Sequence, residues 1–417
     1  MRIAYLTGRY PGISHTFIMR EVRALRALGV QVDTFSIWPT DRSLLLAQAD
    51  SEEFETTYTL LPPRPWDALR AHLSALLTRP GRYLTTARRA AALRQPGLRG
   101  WGLAATWMLE TVVLWHHCRL RSVTHVHAHL NGSAPTIALL LTTFASDAER
   151  GGQAWTWSMT VHGPSEFYDT ANEQLAEKVR AATFVVCISD FARSQLMGLV
   201  EQRHWSKLHV VHCGVDPTVF APAQQAPAGA AESGKLRILN VGRLVPVKGH
   251  AVLIEAIGDL RARGVDADLT IVGDGPARLE LEELIARADL TGHVRLAGAV
   301  GQDDILALYR CADVFCMTSF AEGVPVVLME AMAQEIPVLA PSIMGIPELI
   351  EDGVNGLLTR PARADQVADA LARLAGSVEL RATLGRRARQ SVVTEFAIDR
   401  SARQLHDIFN AHIGGSS

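Results

Sequence analysis

Two successive series of short apolar segments, each alternating with helical patterns, are the feature of this sequence that most limits its possible folds. In the first half, RIAYLTG (2–8) is followed by HTFIMREVRALRALG (15–29), whose apolar residues recur at steps of three and four. In the second half, LRILNVGRL and ADLTIVGDG begin a similar series, with helical segments after most of the strand candidates. Such alternation is typical of parallel sheets covered by helices. We therefore expect an α/β protein with two Rossmann-like parallel-sheet domains.

The boundary between these domains is indicated by composition. The segment PAQQAPAGAAESGK (222–235) is rich in Ala, Pro and Gly, which predicts a flexible linker. The resulting division is an N-terminal domain (1–216) with a basic helical insertion at about 62–120, a linker (217–235), a C-terminal domain (236–395), and a C-terminal helix (396–417). We expect that last helix to pack back on the N-terminal domain.

Charge and hydropathy exclude several classes of protein. The formal net charge of -2 argues against nucleic acid as a partner, because proteins that neutralise phosphates are usually basic. No apolar run is long enough for a transmembrane helix, and MRIAYLTGRYPG is too short in its apolar part for a signal peptide. The five cysteines form no CxxC pair, which favours reduced, buried thiols. We expect a cytoplasmic protein, with peripheral attachment to the inner face of the cell membrane as a second hypothesis.

An arginine-rich segment raises the question of attachment to a membrane. Residues 62–100 contain eight arginines and a single acid, Asp67. One interpretation is a solvated pair of helices. The other is a basic face that rests on anionic lipid headgroups, where each cation contributes about 1 kcal/mol. The helical pattern WGLAATWMLETVVLW (101–115) is likewise either a core helix, which we favour, or an amphipathic element near lipid.

Two cations follow the first strand of the second half. Ligands of open parallel sheets bind at the carboxyl ends of the strands, so the loops after the strands are where a site is expected. Arg243 and Lys248 lie on the loop after LRILNVG, where a helix N-terminus with outward-pointing amides follows. Together these groups predict a diphosphate site. On the next loop, Gly273 and Gly275 allow close backbone approach.

Two glutamates flank an almost wholly apolar run, EGVPVVLME. Glu322 follows the strand candidate VFCMTS, and Glu330 lies about one and a half turns into the helix that GVP introduces. Carboxylates accept pairs of hydroxyl donors well, so we interpret the pair as a clamp on a sugar nucleotide. The alternative is two solvent-facing glutamates on an ordinary amphipathic helix.

These motifs resemble those of a known family. The pattern E-G-x-P-x-x-x-x-E-A-M-A, with R-L-x-x-x-K-G upstream and V-G-D-G-P between them, resembles family 4 retaining glycosyltransferases of the GT-B fold. The segments SHTFIMREV and EGVPVVLMEAMA are most similar to the branch that builds bacterial exopolysaccharides such as colanic acid and amylovoran. The resemblance implies two Rossmann-like domains that face each other across a cleft.

The resemblance also implies a role for each matching position. Arg243 and Lys248 would bind the donor's diphosphate and stabilise it as it leaves. Glu322 would contact the donor sugar, and Glu330 would hold the ribose hydroxyls. Further backbone contacts to the sugar and phosphate would come from Gly323, Val324, Pro325 and Val326.

The N-terminal domain would contribute two positions. His162, in VHG, matches a histidine that reaches the donor sugar, and Gly12 would lie near the diphosphate and the acceptor. The chain departs from the family in two places. It has PGIS where many relatives have a glycine pair. In relatives an acid often follows HG within two residues, whereas here Pro164 and Ser165 precede Glu166, so the role of Glu166 is left open.

The resemblance implies transfer of a hexosyl group from a UDP-sugar or GDP-sugar to a saccharide acceptor in exopolysaccharide biosynthesis, and we expect this acceptor to be lipid-linked. The resemblance implies retention of anomeric configuration and requires no metal or other cofactor. Alternatives are a sugar-nucleotide 2-epimerase of similar fold, a transferase that acts on a glycolipid or a small molecule, and a non-catalytic sugar-nucleotide sensor. His125, His127 and His129 alternate on one strand and could face a metal, but we expect a packed strand end without one.

Overall fold

A computed structural model describes residues 1–12, 16–130, 132–145, 154–222 and 235–414. The chain divides into two compact units: the first comprises Met1–His212 with Ala402–Ser417, and the second comprises Cys213–Ser401. Most of the predicted linker (223–234) lies outside the described residues.

The first unit is built on a parallel sheet with the strand order β3-β2-β1-β4-β5-β6-β7 within the described residues. Its strands are β1 (Arg2–Arg9), β2 (Gln31–Trp38), β3 (Tyr58–Thr59), β4 (His125–His129), β5 (Thr156–Val161), β6 (Phe184–Cys187) and β7 (Leu208–Val210). Its helices are α1 (Thr16–Ala27), α2 (Gln48–Thr56), α3 (Pro65–Thr78), α4 (Pro80–Ala92), α5 (Leu98–Leu120), α6 (Ser133–Phe144), α7 (Leu175–Ala181) and α8 (Asp190–Leu199).

The second unit has the strand order β10-β9-β8-β11-β12-β13, again parallel throughout the described residues. Its strands are β8 (Leu236–Val241), β9 (Ala267–Val272), β10 (Val294–Gly298), β11 (Val314–Cys316), β12 (Val338–Pro341) and β13 (Leu357–Thr359). Its helices are α9 (His250–Ala262), α10 (Arg278–Arg287), α11 (Gln302–Arg310), α12 (Val326–Ala333), α13 (Ile346–Leu349), α14 (Ala364–Ala375) and α15 (Val378–Glu395), and α16 (Ile398–Ile413) follows.

Both sheets are buried on their two faces, which explains why the strands are nearly continuous apolar runs. Successive side chains of a strand point to opposite faces. In β1, Leu6 joins one core cluster and its neighbour Tyr5 joins another; in β8, Ile238 and Leu239 divide in the same way. Helices therefore cover both faces of each sheet, as parallel sheets require.

The strand order places one special position in each sheet. The order reverses between β1 and β4 in the first unit and between β8 and β11 in the second. At such a reversal, the loops that leave the two neighbouring strands run in opposite directions and open a crevice between them. The candidate residues on the loops after β8 and β11 thus belong to one place in the second unit.

The start of the second unit differs from the predicted boundary between the domains. The last strand of the first sheet ends at Val210. Val215 instead makes a parallel bridge to Ala397, and Phe220 joins a core cluster of the second unit. The second unit therefore begins at Cys213 and not beyond the predicted linker.

The last helix, α16, contributes its later part to the first unit. Leu405 and Phe409 are fully buried in the same cluster as Ile3 of β1. The Gln404 side-chain amide donates a hydrogen bond of 2.8 Å to the carbonyl of Val210.

The insertion in the first unit consists of α3, α4 and α5. Trp107 and Trp115 of α5 are buried, as expected for a core helix, whereas Trp101 in its first turn is half exposed. His72 of α3 and Tyr83 of α4 are hydrogen bonded at 2.9 Å. Among the described residues, no helix combines the length and the apolar character needed to cross a membrane.

A buried carboxyl group in α5 makes stability depend on pH. Glu110 is 2% exposed, its Oε2 bonds to no described residue, and burial raises the pKa of its carboxyl group from 4.5 to about 8. Between these two pH values the folded state binds more protons than the unfolded state. The contribution of Glu110 to the free energy of unfolding is therefore fully present below about pH 4.5 and is lost as the pH rises to about 8. We expect Glu110→Gln to be more stable than the parent at pH 8 by on the order of 4 kcal/mol, with a smaller gain at pH 5.

Unfolding curves at pH 5, 6.5 and 8 measure this gain. Glu55→Gln is the matched control, because Glu55 is exposed at the surface of the same unit. A gain that is the same at all three pH values would contradict the assignment.

Candidate active site

The loops after β8 and β11 are bonded to each other at the reversal of strand order in the second unit. The backbone N–H of Phe320 donates to the carbonyl of Val247 at 2.8 Å. The hydroxyl group of Thr318 donates to the carbonyl of Gly249 at 2.9 Å. These two bonds fix the positions of the side chains that the loops carry.

Lys248 and Glu322 are brought into direct contact by this arrangement. The Lys248 Nζ lies 2.6 Å from the Glu322 Oε1, and the two side chains are only 22% and 10% exposed. Because the pair is largely shielded from water, its attraction is screened less than that of a surface ion pair. The ammonium group has donors beyond the one that Glu322 accepts, so the pair can also bind an anionic ligand.

Arg243 lies on the same loop with its side chain exposed. Its carbonyl accepts a hydrogen bond of 3.0 Å from the Nε2 of His250, the first residue of α9. Burial lowers the pKa of His250, so this imidazole is neutral and carries its proton on Nε2. The loop is therefore anchored through its backbone, while the guanidinium group has no hydrogen-bond partner among the described residues.

Gly273 and Gly275 are required by the packing of the β9 loop against the Arg243 loop. A Cβ atom at Gly273 would lie 2.0 Å from the carbonyl oxygen of Gly242, and one at Gly275 would lie 2.4 Å from that of Leu244. Any larger residue would displace the backbone next to Arg243. The close backbone approach that the sequence predicts is thus made to the chain's own neighbouring loop.

Glu330 is buried in α12 and is held by a second residue. The helix begins at Val326 with Pro325 at its N-cap position. Glu330 is 6% exposed, and its Oε2 accepts a hydrogen bond of 2.8 Å from the hydroxyl group of the fully buried Tyr309. Glu322 and Glu330 are therefore both buried, and the alternative of two solvent-facing glutamates is wrong.

The remaining predicted positions of this unit lie between the two glutamates. Gly323, Val324 and Pro325 form the turn that follows Glu322, and Val326 is the first residue of α12. The first backbone N–H groups of a helix have no partner within it, so they point outwards from this turn.

In the first unit, a chain of polar contacts connects His162 with the interior. The Nε2 of His162 lies 2.9 Å from the Nδ1 of His129, at the end of β4. The Nε2 of His129 lies 3.3 Å from the Oε1 of Glu21, which also accepts a hydrogen bond of 2.7 Å from the hydroxyl group of Tyr5. The ring of Phe17 packs against that of His162, with 4.6 Å between the ring centroids.

This chain of contacts determines which ring nitrogens carry protons. Burial, reinforced by Glu21, raises the pKa of Tyr5, so Tyr5 stays neutral and Glu21 acts as the acceptor. The Nε2 of His129 facing that carboxylate then carries a proton. In this tautomer, the Nδ1 of His129 accepts a hydrogen bond from the Nε2 of His162. Glu21 thereby fixes the orientation of His162 through His129.

Glu166 has a structural role in the turn after β5. Its Oε2 accepts hydrogen bonds from the backbone N–H groups of His162 and Gly163, the latter at 2.8 Å. The carboxylate therefore fixes the backbone at His162. Gly12 lies on the loop after β1, and residues 13–15, which include part of PGIS, lie outside the described residues.

The other histidines of β4 are bonded to a row of hydroxyl groups on β5. His125 bonds to Thr156 and Ser158, and His127 bonds to Ser158 and Thr160, at 2.7 to 2.8 Å. Burial lowers the pKa of His125 to about 3 and that of His127 well below its usual value.

These bonds bear on the possibility of a metal site. Within the described part of the chain, Glu21, His127 and His129 have ligand atoms within 4.8 Å of one another. Both nitrogens of His127 are already bonded to hydroxyl groups. A metal would have to break one of these bonds, so the group fits a packed strand end better than a metal site.

Sequence reasoning missed the residues that support the site. Thr318, His250, Tyr309 and Glu21 each hold a candidate residue or its loop through one hydrogen bond or polar contact. Thr318 could have been found, because it is the last residue but one of the apolar strand candidate VFCMTS that precedes Glu322. Nothing in the spacing of the others connects them with the positions that they contact.

Comparison with protein families finds a match in the second unit. Residues 223–391 match the family described as glycosyl transferases group 1. This range contains Arg243, Lys248, Glu322 and Glu330.

Individual relatives extend the similarity to the whole chain. The protein WcaL of Escherichia coli (strain K12), whose name describes it as a colanic acid biosynthesis glycosyltransferase, is 26% identical over 99% of this chain and 100% of its own length. The amylovoran biosynthesis glycosyltransferase AmsK of Erwinia amylovora is 36% identical over 48% of this chain and 50% of its own length. The alpha-D-kanosaminyltransferase of Streptomyces kanamyceticus is 28% identical over 78% of this chain and 88% of its own length.

Solved structures share the fold. HepE of Anabaena, crystallised in complex with UDP and glucose, aligns with a TM-score of 0.73 and 18% identity, over 99% of this chain and 100% of its own. Together with the two parallel sheets, this similarity confirms the predicted GT-B fold class.

Proposed function

We propose that this chain is a group 1 glycosyltransferase and that it transfers a hexosyl group from a UDP-sugar or GDP-sugar to a lipid-linked saccharide acceptor in exopolysaccharide biosynthesis. The observation that carries the proposal is the contact of Lys248 with Glu322 at the reversal of strand order, inside the matched domain. In this proposal, the cation binds the diphosphate and the carboxylate next to it binds the sugar. The UDP and glucose in HepE support this choice of donor.

The difficult step is breakage of the bond between the anomeric carbon and the oxygen of the diphosphate. Negative charge develops on that oxygen as the bond breaks. Lys248 and Arg243 stabilise the charge, as preorganised cations do at many active sites. Because these two cations supply the stabilisation, we propose that transfer requires no metal.

Retention of configuration follows from attack on the face that the leaving group vacates. The acceptor hydroxyl forms the new bond to the anomeric carbon, and its proton passes to the departing diphosphate. No protein nucleophile is required, and the products are the glycosylated acceptor and a nucleoside diphosphate. Glu322 accepts hydrogen bonds from hydroxyl groups of the sugar, and Glu330 accepts them from the ribose.

Donor binding changes the partner of Lys248 in this proposal. In the structure, Lys248 is paired with Glu322. With donor, the ammonium group also contacts the diphosphate, and the carboxylate turns to the sugar. Each partner keeps the other oriented until the ligand arrives, which reduces the cost of ordering two long side chains on binding.

His162 is proposed to contact the donor sugar, and Glu21 is a positioning residue behind it. We expect Glu21→Gln to lower kcat about 3- to 10-fold, because the amide can present a donor to His129 and reverse the proton arrangement at His162. The donor KM should change less than twofold. Nitrogen-15 NMR of the histidine rings should show the altered tautomer of His162.

Glu52→Gln is the matched control for this prediction, because Glu52 is an exposed acid on the neighbouring helix α2. A fall in kcat with unaltered histidine resonances would show that Glu21 acts only on stability and would contradict the positioning role.

The donor and the reaction can be tested together. A thermal-shift screen against UDP, GDP and their sugars identifies the donor, because a bound ligand raises the unfolding temperature by mass action. Turnover of that donor with lipid-linked saccharides, in the presence of EDTA, then tests transfer and metal independence. NMR of the product gives the anomeric configuration, and an inverted product would refute retention.

A second candidate acceptor is a small molecule. One relative that matches over 88% of its own length is named for kanosaminyl transfer and not for exopolysaccharide biosynthesis, which favours keeping this acceptor class as the alternative. Transfer to soluble small-molecule acceptors, with none to lipid-linked saccharides, would favour it. Formation of an epimer from labelled donor alone would instead indicate a sugar-nucleotide 2-epimerase, and donor binding without any turnover would indicate a sensor.

A further inference from the structure

Helix α3 presents its large apolar side chains to solvent. Trp66, Leu69, Leu73, Leu76 and Leu77 are between 45% and 82% exposed. Their spacing of three, seven, ten and eleven residues from Trp66 places them on one side of the helix.

The opposite side of α3 faces the protein with small residues. Ala71 and Ala75 are fully buried, and Ala68 packs against the same core. An ordinary surface helix buries its leucines and exposes its polar residues. In α3 this distribution is reversed, because alanines fill the core side and leucines point outwards. Folding of this unit therefore does not account for the leucines.

Positive charge accompanies this apolar face. Arg64 precedes α3, and Arg70 lies beside the apolar stripe; both are exposed. The single acid of residues 62–100, Asp67, accepts a hydrogen bond of 3.4 Å from the Tyr58 hydroxyl group. The first turn of α5 repeats the combination, with Leu98 90% exposed, Arg99 next to it and Trp101 half exposed.

We propose that the exposed face of α3, together with the first turn of α5, docks on a membrane surface that contains anionic lipids. Tryptophan and leucine side chains on one face, with arginines beside them, are suited to the boundary between headgroups and acyl chains. The excess of arginine over acid matches the negative surface of such a membrane. Helix α3 lies on the surface in this arrangement and does not cross it.

This docking surface goes beyond the proposed function, because it predicts lipid binding without donor or acceptor. It also gives a reason for choosing a lipid-linked acceptor, since docking would bring the enzyme to the substrate. Lipid binding and transfer can fail separately: an enzyme that transfers sugar but ignores vesicles keeps the proposed function and loses this inference.

Flotation of the full chain with vesicles is the test. We expect binding to vesicles of phosphatidylcholine with 30% phosphatidylglycerol at low salt, and at least tenfold weaker binding to pure phosphatidylcholine. The triple variant Leu69→Gln/Leu73→Gln/Leu77→Gln should lose at least tenfold in partitioning. Glutamine is chosen because it forms helices well. The double variant Arg64→Gln/Arg70→Gln should bind more weakly and depend less on salt.

The matched control is Leu120→Gln/Leu279→Gln, because these leucines are 66% and 73% exposed elsewhere. Its binding should equal that of the parent. Absence of binding to anionic vesicles, or equal loss in both leucine variants, would overturn the proposal. Concentration-dependent dimers in sedimentation that the triple variant abolishes, without vesicle binding by the parent, would assign the face to a second copy instead.

A second measurement does not depend on the stability of the triple variant. An environment-sensitive dye is attached to Leu73→Cys in a chain that also carries Cys213→Ser and Cys311→Ser, which removes the two cysteines that are not buried. We expect a blue shift of the dye emission with anionic vesicles, and none for the same dye at Leu279→Cys. Equal responses at the two positions would contradict docking through α3.

Discussion

Lys248→Ala is expected to lower the rate of glycosyl transfer at least tenfold, and on the order of 10²-fold if Lys248 acts mainly on the leaving diphosphate. The ammonium group is held 2.6 Å from Glu322 in a largely shielded position, so solvent cannot replace it. The loss should lie in kcat, because the charge on the diphosphate grows as the bond breaks. Steady-state kinetics with the identified donor measure it.

The contact with Glu322 can be separated from the effect on the donor. Glu322→Ala should also lose at least tenfold, and the double variant should lose less than the product of the two single losses, because the residues share one interaction. Lys235→Ala is the matched control: Lys235 pairs with Asp268 at 2.7 Å at the start of β8, away from the reversal of strand order. Near-normal turnover of Lys248→Ala with an intact fold would refute the assigned site.

Glu330→Ala is expected to raise the donor KM at least tenfold with a smaller effect on kcat. Hydrogen bonds to a charged group contribute about 1.5–3 kcal/mol, which corresponds to roughly 10- to 150-fold in affinity. Contacts to the ribose are present before and during the reaction, so their loss weakens binding of the ground state and the transition state together. Titration of the nucleoside diphosphate alone should show the same loss.

Tyr309→Phe tests whether Glu330 needs its buried partner. Removal of the hydroxyl group leaves one oxygen of a buried carboxylate without that hydrogen bond, so a smaller rise in KM is expected from a less well oriented carboxylate. Glu280→Ala is the matched control for Glu330→Ala, because Glu280 is an exposed glutamate in the first turn of α10. An unchanged donor KM in the Glu330→Ala variant would remove Glu330 from the proposed donor site.

The end of β11 shows why the strands could be predicted from the sequence more accurately than the residues at which they end. Periodicity identified β1, β8 and β9, because burial on both faces leaves a nearly continuous apolar run. It extended VFCMTS too far: β11 ends at Cys316. Thr318 lies in the loop, where its hydroxyl group bonds to the loop of Lys248. An apolar run alone does not show where hydrogen bonding between strands stops.

The glycines of the β9 loop show a similar limit. Their positions were predicted to allow close approach of a backbone. The approaching groups are the carbonyls of Gly242 and Leu244, which only the packing of neighbouring loops could reveal. Likewise, the excess of arginine in 62–100 was visible in the sequence, but the outward orientation of the leucines of α3 was not.

Local periodicity and motif spacing were sufficient to predict the two parallel-sheet units and the candidate residues Arg243, Lys248, Glu322 and Glu330, because both signals are carried by residues close together in the sequence. Which of these side chains touch depends on long-range packing. The contact between Lys248 and Glu322 joins residues that are far apart in the sequence, and it exists because the order of β8 and β11 in the sheet places their loops side by side. Sheet order depends on long-range packing, which no local pattern contains.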